Sequence, residues 1–147
     1  MLDGVPYPTY RLRDSRKMKT ILANVDMELY SKQSLKEVAE ALDEKLYTMY
    51  QGKSGDGYMY SAEISIGGGA DSVEEIIDSF LQLLSAISNK EILENCTKKI
   101  FNIGIEAGTK PQFSEYRLPQ KILKAASEAG FSITVTVYSY DDKQMEA

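Results

Sequence analysis

SLKEVAEALDEKLYTMYQGKSGDGYMYSAEISI, residues 34–66, holds two periodicities in one run, and the place where one gives way to the other sets the fold. Leu35, Val38, Leu42, Leu46 and Met49 recur at helical spacing, so the pattern predicts a helix over 34–50. Ser34 and Glu37 stand three apart ahead of the apolar run, the spacing of a capping box. Residues 51–57, QGKSGDG, have the glycine content of a loop. From Tyr58 the period falls to two. Tyr58, Tyr60, Ala62, Ile64 and Ile66 take one side, and Met59, Ser61, Glu63 and Ser65 the other. A strand of this kind buries one face and wets the other.

The same grammar extends both ways along the chain. Upstream, TILANVDMELY (20–30) alternates with Ile21, Ala23, Val25, Met27 and Leu29 on the expected inner face. Downstream, Val73 to about Ile87 forms a second helix that buries Val73, Ile76, Ile77, Phe80, Leu84 and Ile87. SNKEILENC (88–96) repeats the capping-box spacing at Ser88 and Glu91 and predicts a short helix. A third strand, KKIFNIGIEAG (98–108), puts Phe101, Ile103, Ile105 and Ala107 together. A third main helix, LPQKILKAASEAG (118–130), takes Pro119 in its first turn and Gly130 as its C-terminal cap. The last strand, FSITVTVYSY (131–140), turns Phe131, Ile133, Val135 and Val137 inward.

Four strands that each want one apolar and one polar face do not suit a parallel sheet covered on both sides. The expected architecture is α+β: a two-layer sandwich with a four-stranded mixed or antiparallel sheet and three main helices on one face. The second and short helices together would reverse the chain, setting the second and third strands antiparallel. One domain over 20–147 is expected, preceded by an extended basic arm at 1–19 that contains Pro6 and Pro8.

Composition narrows the chemistry. The 147 residues contain no histidine and one cysteine, Cys96. That removes the commonest general base, the histidine-dependent triads, an internal disulfide and a cysteine-based zinc site. Cys96 falls on the apolar side of the short helix and is expected to be buried filler. No cofactor and no metal are expected, and no catalytic residues are assigned. No apolar run approaches membrane-spanning length, so a cytoplasmic protein that avoids membranes is expected. Residues 1–19 carry Arg11, Arg13, Arg16, Lys17 and Lys19 against Asp3 and Asp14, a net of +3. The rest must carry −8, since the whole chain is at −5. An acidic body disfavours nucleic acid and favours a cationic partner.

AEISIGGGADSVEEII (62–77), strand then glycines then helix, has the outline of a phosphate cradle. It lacks the lysine and spacing of a P-loop, and the third position of a GxGxxG fingerprint falls on Ser72. Asp71 would stand where a phosphate sits, while Ser72 and Glu75 have capping-box spacing. A turn and a helix cap is the favoured reading.

With helices on one side, the other side of the sheet presents Asn24, Asp26, Glu28, Tyr30, Ser61, Glu63, Ser65, Asn102, Glu106, Ser132, Thr134, Thr136, Tyr138 and Tyr140. Tyrosines over a carboxylate-dotted surface suit protein binding, although threonine and tyrosine are also simply good strand formers. The segments KKIFNIGIEAG and LPQKILKAASEAGFSITVTVYSY (118–140) resemble a small bacterial family of domains of unknown function, with Gly130, Phe131 and Tyr138 matching best. The family's frequent tryptophan in the second strand is absent here. In class, size and charge the chain also resembles bacterial immunity proteins, which implies a non-enzymatic domain that occludes the active site of a cognate, cationic protein toxin. Its expected partner-binding residues are Asp26, Glu28, Glu63, Glu106, Tyr138 and Tyr140. The alternative is a ligand-sensing or oligomerising regulatory domain, with a small molecule or anion near Gly67–Ser72; a homo-oligomer fits either reading.

Overall fold

A computed structural model describes residues 20–65, 72–88, 90–108 and 115–140. The expected arm at 1–19, the glycine run and the C-terminal tail lie outside them. In chain order the elements are β1 (Thr20–Ser31), α1 (Lys36–Leu42), β2 (Tyr47–Ser54), β3 (Gly57–Glu63), α2 (Val73–Ala86), α3 (Lys90–Glu94), β4 (Lys98–Gly108), α4 (Gln120–Glu128) and β5 (Ser132–Tyr140). The fold is α+β, as expected, but among the described residues the sheet has five strands, in the order β2-β3-β1-β4-β5, and there are four helices.

The extra strand comes out of residues 34–66. The first helix stops at Leu42, and Tyr47–Ser54 pairs antiparallel with β3. Tyr47, Thr48 and Tyr50 are good strand formers. Gly55-Asp56 closes the hairpin in two residues, with Gly55 at φ +61° supplying the left-handed first position of a II′ turn. The helical spacing of Leu46 is a coincidence of packing: it is half-buried against the same core from a position beyond the helix. The expected capping box at Ser34 does not form. Leu35 is the N-cap, and Ser34 Oγ accepts instead from the Lys36 N–H at 3.2 Å. At α2 the box forms as expected: Ser72 Oγ accepts from the Glu75 N–H at 3.1 Å, and Glu75 Oε1 accepts from the Ser72 N–H at 3.1 Å.

β1 lies at the centre, antiparallel to both β3 and β4. Two strands antiparallel to a common neighbour are parallel to one another, so the α2–α3 connection carries the chain across β1 and does not reverse it into a neighbouring pair. β5 then adds parallel to β4, joined through α4. A bulge between Leu22 and Asn24 breaks the expected Ile21–Ala23–Val25 alternation. Leu22 sits opposite Ile105 and packs against the core.

Val25, Met27 and Leu29 of β1, Tyr60 and Ala62 of β3, and Phe101, Ile103 and Ile105 of β4 form one buried cluster. The apolar faces of α1, α2 and α4, with Leu93 of α3, join the same cluster, so the helices cover one side of the sheet. Phe101 stacks on Phe131 with ring centroids 4.1 Å apart, and Phe80 meets both edge-on at 5.8 and 6.4 Å. A glycine-dependent cap delivers Phe131 to this stack. Gly130 turns with φ +82°, its N–H donates to Ser127 O, and the Phe131 N–H reaches back to Ala126 O. Pro119 precedes α4 as its N-cap, one residue earlier than expected.

The last strand departs from expectation in its packing. Phe131 is buried and Ile133 half-buried, but Val135 and Val137 are 42% and 54% exposed. Among the described residues, helical cover reaches β4 and the start of β5, and the rest of that strand is exposed on both faces. Phe101, fully buried between two other aromatic rings, is the most sensitive packing position. Phe101→Ala is expected to cost about 3–5 kcal/mol in urea unfolding, whereas Val137→Ala stays within about 0.5 kcal/mol.

Candidate functional site

The side of the sheet away from the helices is a polar surface whose geometry follows from the register. In β1 the residues between the buried ones are Asn24, Asp26, Glu28 and Tyr30. Asp26 lies between Glu63 of β3 and Asn102 of β4, Glu28 between Ser61 and Ile100, and Tyr30 between Met59 and Lys98. Three carboxylates, Asp26, Glu28 and Glu63, thus meet on two neighbouring strands at the middle of the sheet.

Each is oriented by neighbouring polar groups. Tyr30 OH donates to Glu28 Oε1 at 2.8 Å, and Asn102 Nδ2 donates to Glu28 Oε2 at 2.7 Å, so both oxygens of that carboxylate are held. Asn24 Nδ2 donates to Asp26 Oδ2 at 2.9 Å, and Ser65 Oγ donates to Glu63 Oε2 at 3.3 Å. Ser65 also accepts from the Val25 N–H at 3.0 Å, fixing the chain past the end of β3. Gly104 makes room for this arrangement. A Cβ there would collide with Asn24 Oδ1 and stand 3.1 Å from Tyr138 Cε2.

Asp26 is the strained member. Its Oδ1 is buried and has no hydrogen-bond partner among the described residues. Burial raises its carboxyl above the ordinary value of 3.8; the Asn24 hydrogen bond pulls down, and the Glu63 and Glu28 charges push up again. Burial likewise raises the Tyr30 phenol, with its hydrogen bond to Glu28 and that group's charge adding to the effect. Lys98 Nζ sits 4.8 Å from the Tyr30 ring centroid, a cation–π contact at the edge of the acidic patch.

The expected site residues do not all meet. Asp26, Glu28 and Glu63 come together. Glu106 lies four residues along β4 from Asn102, roughly 13 Å away, and pairs in register with Tyr138 of β5. Tyr140 stands opposite Gly108 at the end of the sheet, and its side chain lies outside the described residues. The register adds two tyrosines from the span where helical spacing predicts a helix. Tyr47 is opposite Glu63 and Tyr50 opposite Ser61, 64% and 45% exposed. The signal that would have found them is the Gly-Asp pair at 55–56, flanked by aromatic and β-branched residues on both sides.

Other candidates are less developed. Gly67–Asp71 lie outside the described residues, and Ser72 is committed to the α2 cap. A cleft of about 320 Å³ beside that cap places Lys45 with Glu75, so an anion there would face a carboxylate. Cys96 is half-buried, its thiol donates to Ile92 O at 3.5 Å, and burial raises its pKa while Lys99 lowers it. Among the described residues no set of three histidine, cysteine or acidic side chains is arranged to hold a metal ion, and no helix is long and apolar enough to cross a membrane. No family model, curated protein or solved structure matches this chain.

The raised Asp26 carboxyl has a signed consequence. Between 3.8 and the higher folded value, the folded state holds a proton that the unfolded state has released, so stability falls as pH rises through that window. Asp26→Asn removes the buried charge and its repulsion. Urea unfolding is expected to show the variant more stable than the wild type at pH 7, with the advantage shrinking as pH is lowered toward 3.8. A variant less stable than wild type at pH 7 would contradict the burial account.

Proposed function

We propose that this chain is a non-enzymatic protein-binding domain that engages a cationic partner through the open face of its sheet. The observation that carries the reading is the trio Asp26, Glu28 and Glu63, centred on the face and flanked by exposed Tyr47 and Tyr50. Tyr30 and Asn102 hold Glu28 in place before any partner arrives, which lowers the ordering cost of association. Strand-borne carboxylates at fixed spacing steer a basic surface into register, and tyrosines supply area with few rotors to freeze. Glu106 and Tyr138 extend the same face toward β5 and serve as a second, outlying contact.

In its most concrete form the partner is a basic toxin and the chain its immunity protein, acting in the cytoplasm of the producing cell. The carboxylates would then stand where the toxin holds an anionic substrate, so binding and inhibition are one event. The acidic balance of residues 20–147 supports this form.

The test uses the product of an adjacent toxin-like reading frame, co-expressed with this chain. Protection from that toxin is expected to be lost in a Glu28→Lys, Glu63→Lys double variant, with affinity weakened roughly 30-fold or more. Binding of the wild type should also weaken as salt is raised. If the folded double variant protects and binds as well as wild type, the face is wrongly assigned.

A further inference from the structure

The two edges of the sheet are built differently. β2 carries a bulge between Thr48 and Tyr50, a glycine at 52 and a lysine at 53, all features that discourage another strand from adding. β5 has none of these. SITVTVYSY, Ser132–Tyr140, contains no charge, no proline and no glycine, and it pairs with β4 over nine residues without a register shift. Among the described residues no strand lies beyond it. Its helix-side residues Val135 and Val137 remain exposed, although the β4 residues paired with them, Ile103 and Ile105, are buried. A long, regular, uncharged edge of this kind is a template for strand addition.

We propose that β5 is where a second copy of this chain adds, antiparallel, about a two-fold axis at Thr136. The sequence of the strand is complementary to itself in that register. With Thr136 opposite Thr136 of the second copy, Val135 and Val137 fall opposite one another on the helix side, twice over by symmetry. Thr134 meets Tyr138 on the open face, and Ser132 meets Tyr140 at the ends. This is the register that uses all nine residues; it sets Val135 against Val137 on the helix side and Thr134 against Tyr138 on the open face, with Ile133 opposite Ser139 as its one apolar–polar pair.

Charge does not oppose it. The chain is at −5, but no ionisable carboxylate or ammonium lies on the seam itself. Glu106 is one strand in and level with Tyr138, so the two copies of Glu106 would stand roughly 19 Å apart, beyond the Debye length at physiological salt. One strand edge is small beside a standard interface, so the expected behaviour is a concentration-dependent equilibrium. The axis runs perpendicular to the sheet, which would leave both polar faces on the same side of a continuous ten-stranded sheet.

Sedimentation equilibrium of the full chain, from micromolar to near-millimolar concentration, should show the mass rising from 16.5 kDa toward twice that value. A Val135→Lys, Val137→Lys double variant sets like charges opposite one another at the seam and should weaken association about ten-fold or more. Both positions are exposed, so its melting curve should stay close to wild type. In a Cys96→Ser background, Thr136→Cys should oxidise to a covalent dimer, whereas Ser54→Cys on the opposite edge should not. A wild type that stays monomeric throughout would overturn the proposal and leave residues 1–19 of the same chain as the candidate occupant of the edge. A dimer that persists unchanged in the double-lysine variant would overturn it equally, by placing the interface elsewhere.

Discussion

The structure depends on a constraint at its middle strand. β1 is hydrogen-bonded along both edges, so its side chains have only two directions available. Val25, Met27 and Leu29 go fully into the core, and that obliges Asn24, Asp26, Glu28 and Tyr30 to stand together on the other side. In the centre of a sheet these groups are hemmed in by neighbouring strands and lose part of their water. Their surroundings answer by hydrogen bonding: Asn24 serves Asp26, while Tyr30 and Asn102 share Glu28. Gly104, by lacking a side chain, leaves space for the Asn24 amide. The acidic centre of the face is thus a by-product of the same alternation that builds the core. Its one unsatisfied atom, Asp26 Oδ1, marks where the compensation is incomplete.

Much of this was legible because alternation is a local property. The buried apolar side chains of β1 from Val25 onward, of β3 and of β4 follow from period two, although Ser61 on the other face of β3 is buried as well, and α2 with its Ser72–Glu75 box follows from helical spacing. The α1–β2 boundary was not legible from spacing, since Leu46 keeps the helical beat while packing on the core from outside the helix. The turn at Gly55-Asp56 carried the deciding information, because only a left-handed position at Gly55 lets the hairpin close in two residues. β5 shows a different limit. Period two tells which residues share a face, but it does not tell whether a helix is long enough to cover that face. α4 spans nine residues, and Val135 and Val137 fall outside its cover.

The site was legible to the same degree and for the same reason. Asp26, Glu28 and Glu63 meet because β1 and β3 pair directly, whereas Glu106, on the same face, sits several residues along β4. Parity placed all four carboxylates on one side. Only register separates three of them from the fourth. Tyr47 and Tyr50 are not legible from spacing, because the helical beat of Leu42, Leu46 and Met49 runs through the strand that carries them.

The position of β1 also imposes an order of assembly. The first of the described strands ends up in the middle, and its pairing with β4 joins residues as far apart as Thr20 and Ala107. The β2–β3 hairpin closes over a two-residue turn and can form early on its own contacts. β1 then gains one neighbour when β3 docks, but its other edge stays open until residues 98–108 have been made. Through that interval a strand that carries Val25, Met27 and Leu29 on one face, with a vacant edge, is available for wrong pairings. Long-range closure of this kind slows folding, and on the ribosome it leaves β1 waiting for the remainder of its sheet.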